Sequence, residues 1–167
     1  MDKNNSKYRN GYLYAIRLLS VTNRSAKELK KRLAEKGYET EIADQIINEL
    51  EGQGILNDQK LVRDTVQWAI KGKRLGRVRI AFELKKRGIA SETIEGALQN
   101  YSTGTERELA ETLAFERWEK LKSVEPRQRR KRVYDFLIRR GFNFDLCRDI
   151  IAHFNKVDND DENIGNS

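Results

Sequence analysis

The chain has 167 residues, 38% hydrophobic and 35% charged, with one proline, one cysteine and a formal net charge of +7. That length admits one or two ordinary domains or a short array of small modules. A lone cysteine excludes an internal disulfide framework and suits a reducing cytosol. No apolar run approaches membrane-span length, and "MDKNNSKYRN" at the N-terminus leads into no signal-peptide core. A soluble, cytoplasmic protein is therefore expected. Its low apolar fraction fits an elongated one, and its positive charge fits a polyanionic partner.

The first predicted element is an amphipathic run at "YLYAIRLLS". A capping box at Ser25-Ala-Lys-Glu28 then opens a helix that Lys36-Gly37-Tyr38 closes. Thr40-Glu41 supplies an N-cap and a first-turn acid for a third helix, whose apolar stripe is Ile42, Ile46 and Leu50. "EGQGILND" punctuates the chain, with Asn57 or Asp58 capping the helix that carries "LVRDTVQWAIKG". A further helix ends at Arg87-Gly88-Ile89, and Ser91-Glu92 starts the next. After "STGTE", the run "LAETLAFERWEKLKS" precedes a helix with Pro126 in its first turn, closed by Arg140-Gly141-Phe142. Asn143 caps the last helix. β-branched residues nowhere alternate with polar ones over strand length, so no sheet is predicted.

Three of these segments share one pattern: an apolar pair four apart, a basic residue, Gly, and a large apolar residue. The pairs are Leu29/Leu33, Ile80/Leu84 and Val133/Leu137, and the glycines lie 51 and then 53 positions apart. A period near 50 indicates stacked helical units. Glycine at this point stops a helix, because it reaches positive φ without a Cβ penalty. In that turn the residue after Gly packs back on the one four before the Gly: Tyr38 on Leu33, Ile89 on Leu84, Phe142 on Leu137. The fold class is all-α, an elongated array of three tandem three-helix repeats with about nine helices. The expected domains are 1–56, 57–102 and 103–156, followed by a disordered acidic tail at 157–167.

Positive charge gathers in two segments. Residues 71–90 hold eight Lys and Arg against one Glu, and 122–140 hold eight against two acids. "KGKRLGRV" lacks the Gly-x4-Gly-Lys-Ser/Thr spacing and the preceding strand of a phosphate loop. The candidate binding face is instead Lys71, Lys73, Arg74, Arg77, Arg79, Lys85, Lys86 and Arg87, with Arg127, Arg129, Arg130, Lys131 and Arg132. These can meet phosphates or an acidic protein surface. A solvated helix face is the competing reading for each, and Arg79 and Glu83 are spaced to pair. Trp68, Trp118 and Cys147 read as core residues. His153, the only histidine, has no partners for a metal site or a triad, and no carboxylate pair shows signs of burial for acid–base work. No catalysis, cofactor, metal or small-molecule substrate is expected, and the default state is a monomer.

"GILNDQKLVRDTVQWAIKGKRLGRVRIAFELKKRGIASETIEGAL", residues 54–98, resembles the RecX family of regulators of the RecA recombinase. It shows the Gly54-Ile55-Leu56-Asn57-Asp58 helix start, a basic loop, Gly76 to Ile80, and the ending Lys86-Arg87-Gly88-Ile89. "YAIRLLSVTNRSAKELKKRLAEKGY" is similar to the family's first unit, so the likeness covers roughly residues 8 to 155. Asn57 stands where the family often has an acid, and Arg87 stands where Lys is usual. The resemblance implies binding to RecA and its nucleoprotein filament, with limitation of recombinase, ATPase and coprotease activities and so of recombination and the SOS response. Charge reversal at Arg77, Arg79 and Arg87 together is then expected to weaken filament binding without unfolding the protein. The alternative is a general basic helical DNA- or RNA-binding protein with no recombinase partner. A third reading is a protein-binding scaffold whose charge serves solubility.

Overall fold

The computed structural model describes the backbone of residues 3–164 and the side chains of residues 5–154. Among the described residues there are nine helices and no strand. They are α1 (Lys3–Val21), α2 (Ala26–Glu35), α3 (Thr40–Gly52), α4 (Asp58–Lys71), α5 (Arg77–Lys86), α6 (Ser91–Gln99), α7 (Thr103–Glu119), α8 (Pro126–Arg140) and α9 (Phe144–Ile164). In threes they form three three-helix repeats. The side chains of the acidic tail, and residues 165–167 altogether, lie outside the described residues.

The glycine turns form as the sequence requires. Gly37, Gly88 and Gly141 have φ of 94°, 81° and 86°. In each turn two N–H groups reach back to carbonyls of the last helical turn. Gly37 donates to Ala34 (2.9 Å) and Tyr38 to Leu33 (3.1 Å). Gly88 donates to Lys85 (2.9 Å) and Ile89 to Leu84 (3.2 Å), while Gly141 donates to Ile138 (2.9 Å) and Phe142 to Leu137 (3.3 Å). Gly54, at φ 70°, closes α3 the same way, with Ile55 donating to the Leu50 carbonyl at 3.0 Å.

The helix starts follow the sequence with two shifts. The Ser25–Glu28 capping box is complete, Asn57 accepts from the Lys60 N–H, and Asn143 accepts from Leu146. Pro126 sits in the first turn of α8, behind a Glu125 cap. Thr40 and Ser91, however, are the first helical residues rather than caps. The glycine turn ahead of each is short, so the cap position of α3 falls on Glu39, which makes no side-chain cap bond.

By compactness the chain divides into two units, residues 1–65 with 83–95, and residues 66–82 with 96–167. The first holds a core in which α1, α2 and α3 pack on one another through Ala15, Leu29, Leu33, Ile46 and Leu50, all fully buried. Gly11 lets α1 approach α3, since a Cβ there would lie 2.8 Å from Ile46 Cδ1. The second unit holds the core of α7, α8 and α9, built on Ala110, Ala114, Val133, Leu137 and Cys147, all fully buried. Each repeat's apolar pair is buried: Leu29, Leu33, Leu84, Val133 and Leu137 completely, Ile80 to within 1%. Burial of side chains of this size contributes roughly 1.5–3 kcal/mol each.

Trp118 is core, 6% exposed and stacked on Phe154 at 4.6 Å between ring centroids. Trp68 corrects the sequence reading, for it is 56% exposed. α4 buries a stripe of Leu61, Val62, Val66 and Ala69, and Trp68 lies to one side of that stripe. Cys147 is buried as expected, and burial pushes its thiol up to about 11. His153 is exposed, with Nδ1 2.8 Å from the Asp149 carbonyl oxygen. No helix among the described residues is long and apolar enough to cross a membrane.

Candidate functional site

The first basic segment covers the end of α4, the turn after it and α5. Lys71 is exposed. Lys73 places its ammonium 4.3 Å from the centre of the Trp68 ring, a cation–π contact on the surface. Arg74 has φ 55°, the one described non-glycine residue in the left-handed region. That conformation costs an L-residue about 1–2 kcal/mol. Its guanidinium makes a two-pronged bond to Glu116, 2.9 Å on each prong, which holds the Glu116 carboxyl below the usual carboxylate range.

Arg77 begins α5. Its N–H donates to Glu106 Oε1 (2.8 Å) and its guanidinium donates to the Tyr101 carbonyl (2.8 Å). Glu106 is 3% exposed. Burial pushes its carboxyl above the ordinary range, and the bond from Arg77 and the nearby guanidinium only partly offset this. Arg79 lies over Phe82 at 5.9 Å. Arg87, at the end of α5, donates to Glu28 (3.0 Å) and to the Asn23 carbonyl (2.7 Å). Burial raises the Glu28 carboxyl, but the bonds from Arg87 and the Ser25 N–H, with two nearby guanidiniums, outweigh it and hold that carboxyl low.

Arg77 and Arg87 therefore fasten the fold. The expectation that reversing Arg77, Arg79 and Arg87 leaves folding intact is corrected on that ground. A carboxylate at position 87 would face Glu28, and one at position 77 would face the Tyr101 carbonyl and Glu106.

The second segment opens α8. Arg129 stacks on Trp118 at 3.8 Å from the ring centroid and donates to the Trp118 carbonyl at 2.9 Å. Arg130 is half-buried and also engaged. Arg127, Lys131 and Arg132 are exposed, as are Lys85 and Lys86 on α5. Of the thirteen candidates, Lys71, Lys85, Lys86, Arg127, Lys131 and Arg132 thus present charge to solvent without a described ion pair. Arg74, Arg77, Arg87 and Arg129 spend theirs within the fold.

Three cations that the sequence did not single out stand beside Lys73 and Arg74. Arg117, Lys120 and Arg140 line the same cleft. Arg117 and Lys120 fall in a run of mixed charge, so no excess flagged them. Their spacing of three, which places them on one helix face, was the available signal.

Comparison with known proteins gives a consistent answer. Family profiles described as the first, second and third three-helix domains of RecX match residues 12–50, 57–98 and 105–151. A protein of Mycolicibacterium vanbaalenii called regulatory protein RecX is 31% identical over 147 residues, covering 82% of this chain and 78% of its own. One of the same name from Clostridium perfringens is 28% identical over 139 residues, 82% of this chain and 65% of its own. The crystal structure of RecX from Lactobacillus salivarius superposes with a TM-score of 0.79 at 25% identity, over 90% of this chain and 97% of that one.

Proposed function

This chain belongs to the RecX family of regulatory proteins, and from that membership we propose that it binds the RecA recombinase and its nucleoprotein filament. Binding lowers recombinase, ATPase and coprotease activity, and so limits recombination and the SOS response in the cytoplasm. The protein acts by occupancy and not by catalysis. The repeats take the boundaries 1–56, 57–102 and 103–156.

One observation supports the reading above others: the three family matches fall in register on three capped three-helix repeats, each with its own glycine turn between the second and third helices. A serial arrangement of similar units is suited to a polymer, because a second contact with the same polymer forms at high effective concentration. The solvent-facing cations Lys71, Lys85, Lys86, Arg127, Lys131 and Arg132 offer charge for filament DNA or an acidic recombinase surface.

The test is RecA's ATP hydrolysis on single-stranded DNA, titrated with this protein. Inhibition well below one protein per recombinase monomer is the expected result. Inhibition only at amounts that coat the DNA would favour a general nucleic-acid binder. No effect at any ratio would overturn the proposal.

A further inference from the structure

A cleft of about 250 Å³ opens where the turn at 72–74, the last turns of α7 and the end of α8 meet. Five cations line it, Lys73, Arg74, Arg117, Lys120 and Arg140, against the single carboxylate of Glu116. Part of that charge is already used. Three helices end here, so their exposed carbonyls favour cations. Arg140 donates to the Lys73 carbonyl, and the Arg74 fork is committed to Glu116.

What remains is not accounted for by the fold. Arg117 is half-buried, its Nε is sealed from solvent, and that atom has no hydrogen-bond partner. The guanidinium stands 5.7 Å from the centre of the Phe136 ring, a cation–π contact. No carboxylate or carbonyl is described against this guanidinium, so its charge is available to an anion in the cleft that it lines. Arg74 points the same way. It holds a left-handed backbone that glycine adopts freely and arginine does not, on the wall of this cleft.

The surroundings indicate which anion. Trp68 is 56% exposed beside Lys73, so a flat aromatic surface adjoins the charge. Cations interleaved with an exposed aromatic ring suit an unpaired strand, whose phosphates meet the charge while a base stacks. We propose that this cleft binds a backbone phosphate of single-stranded nucleic acid. Arg117, Lys120 and Lys73 are the phosphate ligands, and Trp68 is the stacking surface. The site acts without any recombinase, so its test is separate from that of the regulatory reading.

The experiment is fluorescence anisotropy of a labelled oligothymidylate of about twenty nucleotides with the full chain alone, across a salt series. Replacing Lys73, Arg117 and Lys120 together by Gln is expected to reduce the slope of log K against log salt by about 0.7, the share of one phosphate. At about 0.1 M salt that is a loss of about fivefold. Trp68→Ala should weaken binding about tenfold with the slope unchanged. A charge-matched control, Lys7, Lys31 and Arg32 to Gln, should keep the original slope. Should the cleft variant fail to fold by circular dichroism, Lys120→Glu at its exposed position reads the same slope, expected to drop by about 0.7.

Equal slope losses in the cleft and control variants would overturn the proposal in favour of diffuse charge. An unchanged slope in the cleft variant would overturn it outright. Inorganic phosphate supplies the last arm. Suppose it raises the melting temperature of the parent but not of Arg117→Gln, while oligonucleotide binding survives the cleft substitutions. The cleft then takes a free anion, and the nucleic-acid assignment fails.

Discussion

At the start of α2 the Ala26 N–H donates to Asp58 (2.9 Å), and the Ser25 hydroxyl donates to the Arg87 carbonyl (2.6 Å). At the start of α5 the Arg77 N–H donates to Glu106 (2.8 Å), and the Gly76 N–H donates to the Arg140 carbonyl (2.9 Å). The two junctions follow one plan. An acid from the first helix of the following repeat satisfies the leading N–H of a middle helix, and the carbonyl before the next glycine turn accepts a bond beside it. They differ in what touches. The α2 junction is made by side chains: a hydroxyl, an Arg–Glu pair, and Lys27 lying against Gly88. The α5 junction sets backbone on backbone, and a Cβ on Gly76 would fall 2.3 Å from the Gly141 oxygen. Side chains can move aside and backbones cannot, so the second junction should tolerate far less change.

The three glycine turns separate backbone strain from collision, and they carry the largest expected effects. All three have positive φ, so alanine strains each by about 1–2 kcal/mol. At Gly37 nothing lies within 4 Å of the added methyl, so that strain is the whole cost. At Gly88 the methyl meets the Lys27 side chain, which can partly withdraw. At Gly141 it meets the Arg79 Cβ at 2.2 Å and the Arg79 backbone nitrogen at 2.4 Å. Overpacking there adds roughly another 1–3 kcal/mol. Urea unfolding of the three alanine variants should therefore rank Gly141→Ala worst, Gly88→Ala next and Gly37→Ala mildest. Equal losses would show that the two junctions are equally pliant.

The acids at the junctions sharpen the comparison further. Glu106→Ala leaves the Arg77 N–H without its acceptor and should cost about 1–3 kcal/mol. Asp58→Ala, at the side-chain junction, should cost less. Glu106→Gln keeps an acceptor oxygen and removes the buried charge. Because burial holds the Glu106 carboxyl above its unfolded value, its protonated form favours the fold. That contribution is complete below the unfolded value and is lost as pH rises through the folded one. Arg77, Tyr101 and Cys147 are the titratable groups near it. Thermal melts from acid to neutral pH should show the parent losing this increment while Glu106→Gln does not. Parallel curves for the two proteins would mean that Glu106 is not buried in solution.

The repeat, the helix stops and the buried pairs were legible because each depends on local physics: a glycine at positive φ, a cap, an apolar pair one turn apart. Trp68 was misjudged because a helical pattern tells which residues share a face, not where that face ends. The basic candidates were legible as charge and illegible as contacts. Arg74, Arg77 and Arg87 lie within one run, yet their partners Glu116, Glu106 and Glu28 come from elsewhere in the chain. No periodicity connects position 87 with position 28. Arg117 escaped notice for the converse reason: its isolation shows only once the surrounding helices are in place.

The smallest effect expected is at the Arg87–Glu28 pair, and it separates fold from function. The side chains are 26% and 32% exposed, so part of the attraction is screened. A double-mutant cycle with Arg87→Gln and Glu28→Gln should return a coupling of about 1 kcal/mol. Glu28 is held low, so its contribution is present above the unfolded carboxyl value and is lost as pH falls through the folded one, the opposite sense to Glu106. Arg87→Gln should thus lower the melting temperature more at neutral pH than in acid, where only the bond to the Asn23 carbonyl is lost. If Arg87 instead served only a partner, the melts would coincide at every pH while filament affinity fell. Lys85→Gln and Lys86→Gln, on the exposed face next to it, should show that second pattern.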